Sequence, residues 1–528
     1  MKPQLIASTN RVIKTTCPYC GVGCGVSATI KNHHLLSVAG DQLHPANFGK
    51  LCVKGSALHE TMGDHGRLLQ PSIEGVDVDW PTAISAVAEK LNTIRNQHGA
   101  GSIGFYLSGQ LLTEDYYVAN KLAKGFIGTS HVDTNSRLCM SSAVAGYKRA
   151  FGADAVPCNY EDLEQCHLLV LTGSNAAWTH PILYRRIADA KVKNPAMRVV
   201  VIDPRRTATC DLADLHLAIA PGADAFVFNG LLAYMQQGGH LNTDYIAQHT
   251  QGIDAAIAKA EALSPAELAQ ATALTTQELH TFYQWFCETE KTISFYSMGI
   301  NQSATGTDKC NAIINCHLAT GRIGKVGMGP FSMTGQPNAM GGREVGGLAN
   351  MLAAHMDYNT ENIATVSEFW QTDSLSQKPG LKAVDLFDAV ADGHIKAIWI
   401  MGTNPVVSMP NADRVRAALQ SCDTVIVSDC VAETDTTATA NILLPASGWG
   451  EKSGTVTNSE RRISRQRALI EPAGQAKARQ TGGSCQKLDT QWALMKPLTT
   501  IHPEIFLLNM PNLVGLKIRA TDCLISAA

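Results

Sequence analysis

The sequence predicts an α/β protein of several domains that are built on mostly parallel sheets. Three observations predict this class. The chain has 528 residues, more than one hydrophobic core usually holds, which corresponds to roughly two to four domains. Short apolar segments typical of buried strands alternate with segments of helical periodicity. These strands run into clusters of small or polar residues, and open α/β sheets bind ligands just beyond such strand ends.

The first helix is predicted over 80–96, where Ile84, Val87, Leu91 and Ile94 recur at helical spacing. Two further helices are predicted over 225–237 and 308–320. Strands that end in turn residues are predicted over 102–107, 168–171, 198–202, 215–220, 293–296, 397–401 and 425–427. The number of strands that end in small or polar residues favours a binding site for a large ligand. The alternative is that these residues only form ordinary turns. No G-x-G-x-x-G motif follows the first strand, so an ordinary nicotinamide site has weak support.

The composition argues against three classes of protein. Lys and Arg number 43 against 46 Asp and Glu, a net charge of -3, which is unlike the basic surface of a nucleic-acid-binding protein. No apolar run reaches the ~18 residues that cross a bilayer, so the sequence predicts no membrane anchor. The segment 1–16 lacks an export signal and a twin-arginine pair, which predicts a cytoplasmic protein. The 15 cysteines, an odd number, therefore favour metal ligation over disulfides.

The N-terminal cysteines carry the strongest local signal. Cys17, Cys20, Cys24 and Cys52 have the spacing C-x2-C-x3-C-x27-C, and glycines among them let the backbone wrap closely. Four thiolates suit an iron–sulfur cluster, a zinc ion also takes four, and unligated structural cysteines are the third possibility. The spacing favours a [4Fe-4S] cluster, because zinc ribbons use paired C-x2-C motifs. Lys54 follows Cys52 closely and is either a surface lysine or a cation on the electron route.

The segment T-C-P-Y-C-G-V-G-C-G-V and the later L-C-V-K-G resemble the N-terminal cluster domain of the molybdopterin oxidoreductases. The resemblance continues in order to about residue 470 and is greatest with the bacterial assimilatory nitrate reductases. It implies one [4Fe-4S] cluster on the four cysteines and a molybdenum atom chelated by two molybdopterin guanine dinucleotides. The implied fold has a small iron–sulfur domain and Rossmann-like parallel sheets. Its domains would be 1–62 with a return segment at about 441–470, 63–138 with 335–440, and the dinucleotide-binding 139–334.

The segment N-S-R-L-C-M-S-S-A-V determines the chemistry that the resemblance implies. Cys139 stands where this family ligates molybdenum with Cys or selenocysteine, and a thiolate is a soft ligand that suits such a metal. Formate dehydrogenases usually follow this ligand with His, whereas Met140 follows here and resembles nitrate reductases. From the residues alone, a buried structural cysteine is the alternative.

The resemblance therefore implies that the protein reduces nitrate to nitrite. Electrons from a flavoprotein that uses NADH, or from a ferredoxin, would enter at the cluster and pass Lys54 and the nearer pterin to molybdenum. Arg343 would face the substrate funnel, where a guanidinium suits the planar nitrate anion, and a structural ion pair is the alternative. Three other functions stay open: a formate dehydrogenase of the same family, an inactive iron–sulfur remnant without molybdenum, and a zinc-binding scaffold.

The loops after the strands are the implied cofactor contacts. Strand-end amides and helix N-termini suit diphosphate charge, and an Asp carboxylate can accept from the ring N–H and amino group of guanine. The implied pterin contacts are Gln110, Asn135, Met298, Gly299, Gln302 and Gln336. The implied contacts of one dinucleotide are Gly173, Ser174, Asn175, Trp178, His180, Asp203, Arg205, Gly222 and Asp224. Those of the other are Thr403, Asn404, Ser428 and Asp429. For any single residue, turn or capping chemistry is the alternative.

The C-terminal segment departs from the family pattern. From about residue 471 to 528 the sequence shows no sustained periodicity. Family members normally continue into a β-rich domain that covers both pterins, and the sequence predicts that this domain is missing here. A truncated or frameshifted gene, with 471–528 in a non-native reading frame, would produce this pattern and leave the cofactor partly exposed.

Overall fold

The computed structural model describes residues 10–32 and 34–473. Beyond position 473, the expected atypical tail lies outside the described residues. The strands are, in chain order, β1 (Arg11–Thr16), β2 (Gly25–Lys31), β3 (His34–Gly40), β4 (Ser72–Ile73), β5 (Val76–Asp77), β6 (Ile103–Leu107), β7 (Val132–Thr134), β8 (Leu168–Thr172), β9 (Arg198–Ile202), β10 (Leu215–Leu217), β11 (Thr292–Tyr296), β12 (Gly329–Ser332), β13 (Ala397–Met401), β14 (Thr424–Asp429), β15 (Ile442–Pro445), β16 (Gly454–Thr457) and β17 (Ile463–Gln466).

The α-helices are α1 (Val53–Ser56), α2 (Trp80–His98), α3 (Thr113–Asn120), α4 (Ser136–Phe151), α5 (Asp162–Gln165), α6 (Ala176–Thr179), α7 (Pro181–Lys193), α8 (Asp224–Gln237), α9 (Thr243–His249), α10 (Ile253–Ala260), α11 (Pro265–Thr272), α12 (Thr276–Glu288), α13 (Met298–Asn301), α14 (Gly306–Ala319), α15 (Ala339–Glu344), α16 (Thr360–Trp370), α17 (Ala383–Ala391), α18 (Pro405–Ser408) and α19 (Ala412–Ser421). A π-helical turn follows α3 at Lys121–Ile127. Short 3-10 helices lie at Leu58–Thr61, Ala100–Ser102, Ala208–Leu212, Thr437–Thr439 and Trp449–Glu451. Of the helices described, none is both long and apolar enough to cross a membrane.

Five strands form an all-parallel sheet in the order β10-β9-β8-β11-β12. The sequence folds this way because its strands are nearly continuous apolar runs, and only a sheet covered on both faces buries such runs. Leu168 and Val170 of β8 pack with α8 and α14, while the alternate residues Leu169 and Leu171 pack with α7. The carboxyl ends of these parallel strands therefore meet at one edge, which carries the loops of the candidate site.

Seven strands form a mixed sheet in the order β5-β4-β15-β14-β13-β6-β7, which is parallel except where β4 pairs with β15 and with β5. Helices α2 and α3 cover one face, and α17 and α19 cover the other. Phe105 and Trp399 stack on the first face with ring centroids 5.8 Å apart. Because β15 pairs with β14, residues 442–445 belong to this sheet. The return segment that the sequence placed at about 441–470 stays a prediction.

Two small sheets lie together near the N-terminus. Strands β1, β2 and β3 form an antiparallel sheet, and β16 and β17 form a hairpin. The Thr16 hydroxyl donates to Gln466 Oε1 (2.5 Å), and Trp449 Nε1 donates to the Thr16 carbonyl (2.8 Å). These bonds attach the chain after Pro445 to the N-terminal sheet. The architecture confirms the predicted α/β class with parallel sheets and a small N-terminal unit.

Candidate redox and cofactor site

The four N-terminal thiols share one site. Cys17 N–H donates to the Cys24 carbonyl (2.9 Å), and Gly23, whose φ of +66° favours glycine, donates to the Cys20 carbonyl (3.2 Å). Burial raises the pKa of Cys17 to about 12, and the charges of Cys20 and Cys52 act in the same direction. Burial and the same neighbours, together with Cys17, also raise the pKa of Cys24. Four such thiolates repel one another without a cation between them, so this donor set fits a metal cluster.

The charge of Lys54 acts both on the cluster cysteines and on His180. Its side chain is exposed at the start of α1. Its charge lowers the pKa of Cys17 and Cys20 against the effect of their burial. Burial lowers the pKa of His180 to about 4, and the charge of Lys54 acts in the same direction. The charge of Lys54 thus lowers the pKa of groups in both the N-terminal unit and the segment after β8 of the five-stranded sheet.

A short path of bonds joins the cluster cysteines to Cys139. Gly21, which follows Cys20, donates its N–H to the Gly335 carbonyl (3.2 Å). A Cβ added at Gly335 would lie 3.8 Å from Cys139 Sγ and 3.7 Å from Met298 Sδ, so three segments of the chain converge here. Burial raises the pKa of the Cys139 thiol, while the Gly335 N–H lowers it by hydrogen bonding. The structure therefore places Cys139 next to the loop that contacts the cluster motif.

A hydrogen-bonded network links the predicted pterin contacts from both sheets. Asn135 Oδ1 accepts from the Gly109 N–H (2.7 Å) and from Gln336 Nε2 (2.7 Å), and Asn135 Nδ2 donates to Thr403 Oγ1 (3.2 Å). A Cβ at Gly109 would lie 2.3 Å from Gln336 Oε1, so a larger residue here would displace the Gln336 side chain. Gln110, the next residue, accepts at Oε1 from the Ser108 hydroxyl (3.1 Å). The network forms a polar cradle beside Cys139.

A predicted pterin loop and a predicted dinucleotide loop also meet. Gly299 N–H donates to the Gly173 carbonyl (2.9 Å), and a Cβ at Gly299 would lie 2.6 Å from Gly173 Cα. The Ser174 hydroxyl is buried and has no hydrogen-bond partner within the described part of the chain. Asn175 Oδ1 accepts from Thr209 Oγ1 (3.0 Å). A buried hydroxyl without a partner, beside close glycine backbones, fits a loop that receives a polar ligand.

The remaining residues of this prediction lie around the same edge. Asp203 Oδ1 accepts from the Arg205 N–H (2.9 Å). Gly222 has a φ of +91° and faces open space. The Asp429 carboxylate accepts from the Val431 N–H (3.0 Å) and Asn404 Oδ1 accepts from Thr436 Oγ1 (2.7 Å). Trp178 and Gln302 are exposed. Their cofactor contacts stay predictions.

Three predicted cofactor contacts also have partners within the protein, and their cofactor contacts stay predictions. Asp224 forms a buried ion pair with Lys309 (2.7 Å). Ser428 Oγ accepts from Trp399 Nε1 (2.9 Å) inside the seven-stranded sheet. His180 Nε2 lies 2.9 Å from the Thr334 carbonyl and Nδ1 lies 2.8 Å from Thr179 Oγ1. A carbonyl only accepts, so His180 carries its proton on Nε2 and holds the segment that leads to Gly335.

Arg343 forms the ion pair that the sequence left as an alternative. Its Nε donates to Asp154 Oδ2 (2.8 Å), Nη2 donates to the other carboxylate oxygen, and both side chains are buried. Burial raises the pKa of Cys139, and the Arg343 charge acts in the opposite direction. The guanidinium thus pairs with Asp154, and its charge also acts on the Cys139 thiol.

Sequence reasoning missed the residues that fix the helix of Cys139. The Asp133 carboxylate accepts from Arg137 Nε (2.9 Å) and from the Ala383 N–H (2.7 Å), and Arg137 Nη2 donates to Asn350 Oδ1 (2.7 Å). Lys124, fully buried in the π-helical turn, donates to three carbonyls at positions 346, 348 and 351. The spacing of Asp133 and Arg137, four residues apart, was the signal in the sequence that could have identified this pair.

Fold and site together define a protein in which four N-terminal cysteines lie against an α/β core with parallel sheets. The sequence model described as "Molybdopterin oxidoreductase" matches residues 67–479, and that described as "Molybdopterin oxidoreductase Fe4S4 domain" matches residues 10–64. The chain therefore belongs to the molybdopterin oxidoreductases. The Fe4S4 match supports an iron–sulfur cluster on the four cysteines rather than zinc.

The relatives with curated names include nitrate reductases. A nitrate reductase of Klebsiella oxytoca is 58% identical over 465 residues, which cover 88% of this chain and 53% of that protein. One of Shewanella frigidimarina is 51% identical, over 88% and 51% of the two chains. The F420-dependent formate dehydrogenase subunit alpha of Methanocaldococcus jannaschii is 32% identical, over 88% and 68%. The chain thus spans about half the length of these two nitrate reductases.

A solved structure shares the fold. Acetylene hydratase from Pelobacter acetylenicus superposes with a TM-score of 0.77 over 95% of this chain and 72% of that one, at 16% identity. At this identity the likeness concerns the architecture alone.

Replacing Cys24 with serine should remove the iron–sulfur cluster. A serine hydroxyl is a poor iron ligand, and Cys24 lies buried among the other three thiols. Iron per chain and visible absorption should fall several-fold. Cys422→Ser, which changes a half-buried cysteine outside the site, should leave both unchanged. Equal iron in the two variants would show that Cys24 is not a ligand.

His180 should make the folded chain less stable as the pH falls. Burial lowers its pKa to about 4 from an ordinary 6.5, so between these values the unfolded chain binds a proton that the folded chain does not. This contribution is complete above about pH 6.5 and is lost towards pH 4, for a total of about 3 kcal/mol. Denaturant unfolding of His180→Gln, whose side chain does not titrate, should lack this slope. The same slope in both proteins would contradict the assignment.

Proposed function

We propose that this chain is the catalytic region of an oxidoreductase that reduces nitrate to nitrite. The observation that carries the proposal is the convergence of Cys139, Met298 and Gly335 beside the cluster motif, because Gly335 also accepts from Gly21. The two nitrate reductases support the substrate, since they are 58% and 51% identical to the chain. The overall reaction consumes two electrons and two protons per nitrate and yields nitrite and water.

The site residues divide into those that would hold the cofactor and those that would serve the substrate. Cys139 would supply the protein ligand to molybdenum, and the network of Asn135 and Gln336 would hold the pterin. Ser174 and its neighbouring glycines would receive the diphosphate of a guanine dinucleotide. Bound in this way, a molybdenum pterin supplies two-electron oxygen-atom transfer. The positive charge of Arg343 near Cys139 would favour an anionic substrate over water.

Electrons would reach the site through the N-terminal cluster. Gly21 and Gly335 connect the cluster motif to Cys139 by hydrogen bonds, and Lys54 contributes a positive charge at the same contact. The donor would be a flavoprotein or a ferredoxin, which transfers one electron at a time to a [4Fe-4S] cluster. The physiological setting would be nitrate assimilation in the cytoplasm.

Formate oxidation is the second candidate, and Met140 argues against it. Met140 is 1% exposed, and its sulfur accepts from Asn301 Nδ2 (3.4 Å). The residue after Cys139 therefore points into the core and offers no group that could take a proton from formate. The F420-dependent formate dehydrogenase is also a more distant relative, at 32% identity.

The proposal is tested with protein purified under reducing, oxygen-free conditions. Nitrate reduction by a reduced viologen dye should be measured beside formate oxidation by the oxidised dye, together with iron and molybdenum content. Nitrate turnover with both metals present is the expected result. Formate turnover without nitrate turnover would replace the proposal with the second candidate. Iron without molybdenum, and no turnover, would indicate the inactive remnant.

A further inference from the structure

A second cavity lies at the opposite edge of the five-stranded sheet from Cys139. It has a volume of about 520 Å³, and its lining includes His240, Asn242, Arg322 and Lys325. Glu290, also in the lining, precedes β11, whereas Met298 of the redox site follows this strand. At about 3.3 Å per residue, the strand separates the two sites by about 15 Å. The cavity is within the size range of small-molecule sites.

Arg322 is the unusual residue of this cavity. It is 6% exposed, and its Nη1 has no hydrogen-bond partner in the described ranges. Burial lowers its pKa to about 10, against the opposing charges of Cys287, Cys316 and Glu290. None of the carboxylates in those ranges forms an ion pair with it. Its guanidinium carbon lies 4.7 Å from the centroid of the Phe286 ring. A ring face offsets only part of the cost of burying a cation.

The charges around the rim indicate what kind of anion fits. Lys325 and His240 are exposed and add hydrogen-bonding groups to the lining, and Lys325 adds a positive charge. Glu288 and Glu290 are also exposed at the rim, and Glu288 accepts from Gln284 (2.7 Å). The buried Arg322 and the exposed Lys325 together suit a doubly charged phosphate group, which a guanidinium binds through two N–H donors. The carboxylates at the rim suit hydroxyl groups of a larger molecule.

We propose that this cavity binds the phosphate group of a small hydroxylated phosphate ester, with Arg322 as the buried anchor. No carboxylate of the described residues forms an ion pair with the guanidinium, so an external anion is the partner that completes it. The proposal is independent of nitrate reduction, because the cavity and the redox site lie at opposite ends of the strands.

Calorimetric titration of the purified protein at constant ionic strength tests the proposal. Inorganic phosphate and ribose 5-phosphate are the probes, and chloride balances the ionic strength. The parent protein should bind both, and Arg322→Met should bind them at least about tenfold more weakly. Tighter binding of the ester identifies an organic phosphate as the natural ligand, whereas equal binding identifies free phosphate.

Two further variants make the test specific. Arg198→Met is the matched control, because Arg198 also lies 4.7 Å from an aromatic ring, that of Trp285, but is exposed and does not line the cavity. It should bind as the parent does. Arg322→Lys keeps the positive charge but lacks the paired N–H donors of a guanidinium, so it should bind phosphate more weakly than the parent. This variant still tests the proposal if Arg322→Met does not fold. No binding by the parent, or equal binding by the parent and the Arg322 variants, would overturn the proposal.

Discussion

Replacing Cys139 with serine should abolish nitrate reduction while the iron–sulfur cluster stays in place. A thiolate is a soft ligand, and a serine hydroxyl does not replace it at a molybdenum centre. Groups that only support a metal ligand change activity by about 10- to 100-fold, so loss of the ligand itself should cost at least about 100-fold. The cluster should persist, because its four cysteines lie on other segments of the chain.

The measurement combines viologen-linked nitrate reduction with iron and molybdenum content. Cys139→Ser should retain iron, and its visible spectrum should be that of the parent. Cys316→Ser is the matched control, because Cys316 is fully buried and its thiol donates to the Phe228 carbonyl (3.2 Å), a bond that serine can also make. The control should keep parental activity. Parental activity in Cys139→Ser would mean that the active centre lies elsewhere.

Sequence reasoning located the strands that consist of a continuous run of apolar residues. The strands predicted over 198–202 and 397–401 have those bounds in the structure, because a continuous apolar run is buried on both faces of a parallel sheet. The strand predicted over 215–220 ends at Leu217, since the Ile219 N–H turns back to the Leu217 carbonyl. The three residues of β7 and the Gly-Pro start of β12 form strands only because β6 and β11 pair with them.

The same distinction applies to the site. The first three cysteines of the cluster are close in sequence, so their spacing indicated their function. Asn135 and Gln336 are 201 residues apart, and Asp154 and Arg343 are 189 apart, so no local pattern could pair them. Asp224 and Ser428 also contact Lys309 and Trp399, and no local pattern could show these partners because they lie on neighbouring elements. Sequence patterns identify which loops carry chemistry, and packing between distant segments decides which side chains stay free.

Replacing Arg343 with methionine should lower the free energy of unfolding by about 3–5 kcal/mol, because it leaves the Asp154 carboxylate buried without its cation. Burial alone would raise the pKa of Asp154, but Arg343 outweighs it and holds that pKa below its ordinary value. The pair therefore stabilises the fold above about pH 4 and loses this effect as the pH falls through the lowered pKa of Asp154. Arg414→Met is the control, since the exposed pair of Arg414 and Asp388 should contribute less than about 1 kcal/mol.

The double variant Arg343→Met/Asp154→Leu separates the two functions of the arginine. Replacing both partners by apolar residues removes the unpaired charge, so most of the lost stability should return. Nitrate reduction should not return with it, because the positive charge beside Cys139 stays absent. Denaturant unfolding and kcat/KM for nitrate, measured on the same preparations, give the two readouts. Recovery of both stability and kcat/KM would mean that Arg343 only stabilises the fold. Loss of both would mean that the ion pair is needed for correct packing around Cys139.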